Sequence, residues 1–507
     1  MELHLLQTLR KIKRVEDDQT LNYQPKTIDV NNFVPKYSNV IIVDQSMDDS
    51  THIDLRRPTN SDNTLIQTQL RTNRIDRALA HAMNYSRSPL FNDGWSIFLK
   101  EGLYIIGQYH FRRICCMKLN LEIVGLHEVR ILCQEDIQDY VPLIFSTQSN
   151  RLTLNNIKIY DMRTRKSTPG ATAGSRDDSR VTLANVFIHA PSAVALDTRD
   201  GSSAHIENCT FTACWCGIYA TEKSIIHMEQ SCVSNMINHG VKVLKDSVFN
   251  VSESRFFCAG EIFVNHSQGV LTECRVENNQ SDADTKATAV MVMNESRITC
   301  EKTMFRGYNQ IFQVKGSKTE ATINSCVLIN SAAIARVVEN GSLTVNSCVI
   351  DVSYSLVYVT TNIKGKIQLK KNKLRESTPR TIFIDSVSKK PEHDEDINFQ
   401  PLVYRPDLAP SDKEKSKYTQ SVQQHVRFDK NFDVMGKIKD KRYKACAKCL
   451  KPESTGAVYA SGYHESTTPK FRYCGGCRLV NYCSEECKNA HWADHRLICE
   501  RKHSSVQ

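Results

Sequence analysis

No stretch of this 507-residue chain approaches the roughly 20 consecutive apolar residues that a membrane-spanning helix needs. The first residues, Met1 to Asp18, contain no apolar h-region and no small-residue cleavage site beside their basic cluster, so the sequence reads as not secreted. Compositional extremes are missing too. At 40% hydrophobic and 24% charged residues, the chain is neither depleted enough for wholesale disorder nor fibrous, and its length predicts two to four globular domains. A net charge of +10 is small for this length and does not by itself mark a nucleic-acid binder.

Cysteine, by contrast, is abundant: 19 residues, of which seven crowd into Cys446–Cys499 and the other twelve scatter through Cys115–Cys348. A disulfide framework suits short secreted chains. Without a secretory signal, reduced thiols in a cytoplasmic or nuclear protein are the expectation. The sequons at Asn208, Asn250 and Asn265 then read as by-products of Asn- and Ser-rich turns.

The middle of the chain repeats. An apolar residue, two polar ones, a small or thiol residue, one more and a second apolar residue recur ten times. The anchors are Leu154, Leu183, Ile206, Met228, Val251, Leu271, Cys300, Ile323, Val345 and Leu369. Their separations are 29, 23, 22, 23, 20, 29, 23, 22 and 24 residues. Each unit has β-branched runs between Gly, Asn, Ser and Asp turns, with no helical periodicity, so it holds two or three short strands. Units this small cannot bury an apolar face alone and must stack, with equivalent residues about 4.8 Å apart. The fourth position becomes a column of mainly small or thiol side chains: Ile157, Val186, Cys209, Ser231, Ser254, Cys274, Thr303, Cys326, Cys348 and Asn372. The sixth becomes a column of large ones, running from Ile159 through Phe211, Phe256 and Phe305 to Leu374. The 29-residue spacings leave room for extruded loops, with Arg163–Arg180 the clearest candidate.

Before the repeats, Asn73 is placed to cap a short helix whose apolar face is Ile75, Leu79, Ala82 and Met83. Strand-like segments follow at Ile97–Tyr104 and Leu121–Gly125. A capping helix, two strand–glycine units and then coils resemble right-handed parallel β-helices of the pectin-lyase-like class, over roughly Asn73 to Asp385. Polysaccharide-cleaving enzymes, an F-box family and the SHC SH2-domain-binding family share this repeat type. No F-box-like helical segment stands in residues 1–72. The expected fold is mainly β: a parallel β-helix of about ten coils plus a small zinc finger. The expected division is a polar, partly disordered extension at 1–72, the β-helix at 73–386, a charged Pro-containing linker at 387–441 and the finger at 442–503.

The finger region reads Cys446-x2-Cys449, a long gap, Cys474-x2-Cys477, Cys483-x3-Cys487 and His495-x3-Cys499. Thiolate and imidazole donors in fours suit tetrahedral structural zinc, and eight donors imply two ions. With no carboxylate and no open position, the zinc would be structural, and its binding would supply folding free energy to a segment with little core. His464, His491 and His503 are spare, and His491 is the one substitute for His495 that the spacing allows.

From Cys474 onward, including Tyr482 before Cys483 and the His491-Trp492 pair, the spacing resembles the MYND family. That resemblance implies interleaved ligation: Cys446, Cys449, Cys483 and Cys487 on one zinc, Cys474, Cys477, His495 and Cys499 on the other. The 24 residues from Leu450 to Tyr473 exceed the family's usual gap and read as a surface-loop insertion. The resemblance further implies a protein-interaction module that takes proline-containing peptides of the Pro-x-Leu-x-Pro type. Such a segment stands in this chain at Pro406, Leu408 and Pro410. The flexible linker after it reaches roughly 30–35 Å, so docking on the finger in cis, or between two copies, is sterically open.

An enzymatic β-helix would need acids converging from successive coils. The position seven after each anchor (Asp161, Ala190, Ala213, Asn235, Cys258, Asn278, Gly307, Asn330, Val352, Glu376) forms no acidic ladder. Asp197 and Asp200 are neighbours, but the next coil offers Thr221 and Glu222. Asn238-His239-Gly240 reads as an ordinary turn, and Cys214-x-Cys216 reads as packing because it lacks a second ligand pair. The lysines and arginine from Lys437 to Lys451 lack interleaved aromatic platforms, Tyr443 apart, so they read as a solvated linker or a nuclear-localisation patch. The expectation is a non-catalytic adaptor. Its finger would capture a protein partner, and its β-helix would offer a rigid surface to a protein or glycan. A carbohydrate-binding or carbohydrate-active β-helix and a nucleic-acid-associated regulator are the alternatives.

Overall fold

The computed structural model describes most of residues 94–133, 143–163, 170–278, 288–360 and 366–384, with shorter stretches elsewhere, among them 39–46, 398–401, 481–482 and 484–495. Its body is a parallel β-solenoid of about 11 turns. Each coil contributes three strands. In one coil these are Ser203–Glu207, Thr210–Thr212 and Cys216–Ala220, and the next repeats them as Ile225–Glu229, Cys232–Ser234 and His239–Leu244. All three pair in parallel with their counterparts one coil away, forming three walls around one core.

Register is residue for residue. The anchor column pairs Leu154 with Leu183, then Ile206, Met228 and Val251. The sixth-position column pairs Ile188 with Phe211, Val233, Phe256, Val276 and Phe305. Phe211, Phe256 and Phe305 are fully buried. Each full burial contributes on the order of 2–3 kcal/mol.

The tight corner between the first two walls has a backbone reason. The third pattern position takes a positive φ in every repeat, from Asn156 at 57° through Glu253 at 48° to Lys371 at 54°. That left-handed residue turns the chain and would leave the next N–H without a strand partner. The fourth-position side chain of the following coil supplies the acceptor. Val186 N–H donates to Cys209 Sγ at 3.4 Å, Cys209 N–H to Ser231 Oγ at 2.9 Å and Ser231 N–H to Ser254 Oγ at 3.1 Å. The relay resumes at Cys274 with Thr303 Oγ1, Cys326 Sγ, Cys348 Sγ and Asn372 Oδ1 as successive acceptors. Serine, threonine, cysteine and asparagine fit there because each is small and accepts a hydrogen bond.

A second relay, which the repeat pattern did not reveal, runs along the third corner. Ser224 N–H donates to Ser247 Oγ, Ser247 N–H to Ser267 Oγ and Ser267 N–H to Ser296 Oγ, at 3.1 to 3.3 Å.

Three expectations need correction. The solenoid begins before residue 73: Asn39–Val43, five buried residues, pairs in parallel with Trp95–Leu99 and with Gln69–Thr72. This strand escapes the period because the chain between it and the next coil is longer than a repeat. The solenoid also continues past 386, where Asn398–Pro401 pairs with Thr381–Ile384. Finally, Arg163–Arg180 is not simply an extruded loop, because Ala171–Ser175 is a fully buried strand of the third wall. Its Ala, Thr, Gly and Ser residues carry little hydrophobic signal, yet small side chains fill a narrow part of the wall.

At the entry end, residues 75, 78, 79, 81 and 82 are helical, and Ile75, Ala78, Leu79 and Ala82 are buried. Asn73 and Met83 lie outside the described residues.

Candidate functional site

Of the eight expected zinc ligands, Cys446, Cys449, Cys474, Cys477, Cys483 and Cys499 lie outside the described residues, as do Pro406, Leu408 and Pro410. The helix Glu485–His495 carries the other two, with Cys487 in its first turn and His495 as its last residue. Ser484 caps it: its Oγ accepts from Cys487 N–H at 3.3 Å and its carbonyl from Lys488 N–H at 3.2 Å. Glu485 and Glu486 stand in the first turn, where the helix dipole favours acids. The Ser484 hydrogen bond holds Glu486 below the usual carboxylate range. Two short antiparallel strands, Arg472–Tyr473 and Asn481–Tyr482, pair ahead of the helix. Tyr482 is 1% exposed, and Cys487 and Trp492 are half-buried against the same apolar cluster. A thiol at the start of a capped helix and an imidazole at its end suit zinc, which takes both donor types.

The β-helix carries a second concentration of polar chemistry. Asp161 and Arg163 form a buried ion pair whose side chains are 0% and 1% exposed. Arg163 Nε donates to Asp161 Oδ1 at 2.7 Å, and Thr172 Oγ1 to Asp161 Oδ2 at 2.9 Å. Farther along, Arg199 Nε donates to Asp197 Oδ1 at 2.7 Å, with Arg176 Nη2 3.8 Å from Asp197 Oδ2. Burial pushes Arg176 down to about 10. On the third wall Asp197, Tyr219, Lys242 and Phe263 share one register column, alternating with core residues Leu196, Ile218, Val241 and Ile262. The Arg199 guanidinium lies 5.0 Å from the Tyr219 ring centre and Lys242 Nζ lies 5.3 Å from that of Phe263.

Titratable groups outside these pairs divide into two kinds. His189 is buried, and burial lowers it to about 4, so it is neutral at physiological pH. Asp200 on the third corner rises to about 6 through partial burial and its hydrogen bond with Glu222 one coil on. Lys245 Nζ donates to Glu222 Oε1 at 2.9 Å.

Cys214 and Cys216 do not form a redox or metal pair. Cys214 packs in the main core, whereas Cys216 packs with Ala171, Val194 and Tyr219 in a separate cluster. Burial pushes Cys216 to about 12, an inert thiol. His239, expected in a turn, instead opens the strand His239–Leu244, with Nδ1 3.0 Å from Glu261 Oε1 and its ring against Phe263.

Sequence reasoning missed both buried Asp–Arg pairs. The i, i+2 spacing they share, in Asp161-x-Arg163 and Asp197-x-Arg199, was the available signal.

Residues 140–280 match the family described as right handed beta helix region, and residues 446–499 match the MYND finger family. No curated protein matches the chain. Among solved structures, the catalytic domain of a GH87 alpha-1,3-glucanase in complex with nigerose is similar at 9% identity and a TM-score of 0.37, covering 62% of this chain and 67% of that one. The GH87 alpha-1,3-glucanase catalytic unit from Streptomyces thermodiastaticus is similar at 9% identity and a TM-score of 0.39, covering 60% and 66%. The mannuronan C-5 epimerase AlgE4 A-module of Azotobacter vinelandii is similar at 12% identity and a TM-score of 0.32, covering 63% and 95%. No described helix is long and apolar enough to cross a membrane. The chain thus joins a right-handed parallel β-helix to a zinc-binding finger of the MYND type.

Proposed function

We propose that this protein is a non-catalytic adaptor whose finger holds two structural zinc ions and captures a proline-containing peptide from a protein partner. The observation that carries the reading is the finger itself, matched over 446–499 with all eight cysteine and histidine donors inside the match. Cys446, Cys449, Cys483 and Cys487 hold one ion; Cys474, Cys477, His495 and Cys499 hold the other. The helix supports this division. Cys487 and His495 stand eight residues apart on it, about 12 Å of axial rise, a long span for one ion bonded at about 2.0–2.3 Å to both side chains. The segment at Pro406, Leu408 and Pro410 is the internal ligand, occupying the peptide site in cis or between copies and competing with outside partners.

The state of the β-helix acids supports a scaffold rather than a catalyst. Asp161 and Asp197 are each buried in an ion pair with an arginine two residues away, so both carboxylates are committed to partners within the fold. Tyr219 and Phe263, rings a sugar could stack on, are engaged by Arg199 and Lys242.

The test is zinc content and peptide binding of the full chain beside its Cys483→Ser, His495→Ala and Leu408→Ala variants. Two zinc ions in the wild type, one lost in each ligand variant, and tighter capture of Pro-x-Leu-x-Pro peptides by Leu408→Ala are expected. A finger that carries its zinc and ignores such peptides would remove the adaptor reading. Unchanged affinity in Leu408→Ala would remove the internal ligand alone.

A further inference from the structure

The parallel register of the first wall brings together metal-ligating side chains that are distant in sequence. His205 and Glu207 lie two residues apart on Ser203–Glu207, so they project from the same side of the wall, opposite core residues Ala204 and Ile206. One coil on, His227 pairs with His205 and Glu229 with Glu207. Two imidazoles and two carboxylates therefore occupy the corners of a rectangle, about 4.8 Å by about 6.8 Å on backbone spacing. In that rectangle the ligand atoms of His205, Glu207 and Glu229 already lie within 4.8 Å of one another, and His205 Nε2 is 3.7 Å from Glu229 Oε1.

The geometry points to a divalent transition-metal site on this wall, held by His205, Glu207 and Glu229, with His227 or water completing the shell. Four features favour it. First, Glu207 and Glu229 are like charges directly opposite each other, an arrangement that costs stability in a sheet. The same wall elsewhere pairs opposite charges across coils, as Arg297 does with Glu320 at 2.8 Å. A cation between the two carboxylates turns the repulsion into coordination.

Second, no charged side chain borders the rectangle in register. Thr182 and Ala184 precede it, and Asn250 and Ser252 follow it. Third, the ligands can be reached from solvent, with the His205 and Glu229 side chains 33% and 46% exposed. Fourth, they stand on rigid, core-anchored strands, so only side-chain rotation is needed to close onto an ion.

The donor set selects the metal. Zinc takes imidazole nitrogen at about 2.0–2.1 Å and carboxylate oxygen at about 2.0–2.2 Å in four-coordinate sites. Imidazole suits zinc, copper and nickel, whereas calcium and magnesium prefer all-oxygen shells. Divalent zinc or copper is the expected occupant. The site is chemically unlike the finger, whose donors are mostly thiolates, and it is independent of the finger's function.

The experiment is copper(II) binding to the full, zinc-loaded chain, followed by electron paramagnetic resonance and native mass spectrometry. The partner sample is the Glu207→Gln/Glu229→Gln double variant. Both substitutions keep side-chain shape and remove the facing charges, so the metal-free variant is expected to melt no lower than the wild type. The wild type should bind one more copper ion per chain than the variant, at least tenfold more tightly, with nitrogen hyperfine structure that His205→Ala weakens and that His205→Ala/His227→Ala abolishes. Equal stoichiometry and affinity in wild type and double variant, or a copper spectrum unchanged by His205→Ala, would overturn the site.

Discussion

Asn185 Nδ2 donates to Asn156 Oδ1 at 2.6 Å across adjacent coils, and Asn208 Nδ2 donates in turn to Asn185 Oδ1 at 3.1 Å. All three residues sit in the left-handed region at the same corner. The amide suits the position twice, because asparagine tolerates positive φ and carries both a donor and an acceptor for stacking. Replacing Asn185 by Asp removes the donor and sets a carboxylate, 5% exposed as a residue position, against Asn156 Oδ1. Asn185→Asp is expected to cost about 2–3 kcal/mol at neutral pH. Denaturant unfolding of the two proteins measures it, and a much smaller cost in acid would identify the buried charge as the cause.

Glu253 tests the corner's backbone requirement without the ladder. Its φ is 48°, and its exposed side chain accepts from Gln230 Nε2 at 3.0 Å. Glu253→Gly should be nearly neutral, because glycine adopts this conformation freely. Glu253→Val should cost about 1–2 kcal/mol, because the second branch on valine Cβ crowds the backbone in this left-handed conformation, whereas unbranched glutamate is tolerated. Thermal melts of the two variants separate the predictions.

The buried pair of Asp161 and Arg163 predicts non-additive mutational effects. Asp161→Asn leaves a guanidinium that is 1% exposed without its full counter-charge and should destabilise by about 3–5 kcal/mol. The double variant Asp161→Leu/Arg163→Met removes both charges and should lose less than the single variant does. Additive losses in a double-mutant cycle would refute this account of the pair.

Stability should respond to pH through two groups of opposite sign. His189 falls to about 4 from an ordinary value of 6.5, so between these values the unfolded chain binds a proton that the fold refuses. Stability on its account is full above about pH 6.5 and declines as pH falls toward 4. At 6% exposure the loss is of order 3 kcal/mol at its limit. Asp200 rises to about 6 from 3.8, so the folded chain binds the extra proton and stability on its account increases as pH falls from 6 toward 4. Asp200 is only partly buried, with much of its surface open to water, and solvent screening limits its contribution to less than about 1 kcal/mol. The net expectation is a decline below pH 6.5. Melting temperatures of His189→Phe and Asp200→Asn between pH 4 and 7.5 check it: the first should flatten the decline and the second should steepen it.

Much of the fold was legible in the residues. The spacing of Leu183, Ile206, Met228 and Val251 named the period, and the small side chains at Cys209, Ser231 and Ser254 marked a corner where the structure uses them as acceptors. The strand at Ala171–Ser175 was not legible, because Ala, Gly and Ser carry no amphipathic signal in a wall narrow enough to need them. The cluster of His205, Glu207 and Glu229 was legible in principle. The 22-residue step from Ile206 to Met228 carries His205 onto His227 and Glu207 onto Glu229, but their proximity acquires meaning only once register is known.

The sequence by itself determined the repeat period and the identity of the stacked columns, because each depends on residue type at fixed spacing; the set of finger donors is the reading proposed from that same kind of spacing. Tertiary structure alone decided the three-walled cross-section and the entry of Asn39–Val43 into the wall. It also decided the opposite placement of Cys214 and Cys216 and the withdrawal of Asp161 and Asp197 beside their arginines. Those outcomes depend on which side of a strand faces the core and on which coil lies next to which, and a linear pattern carries neither.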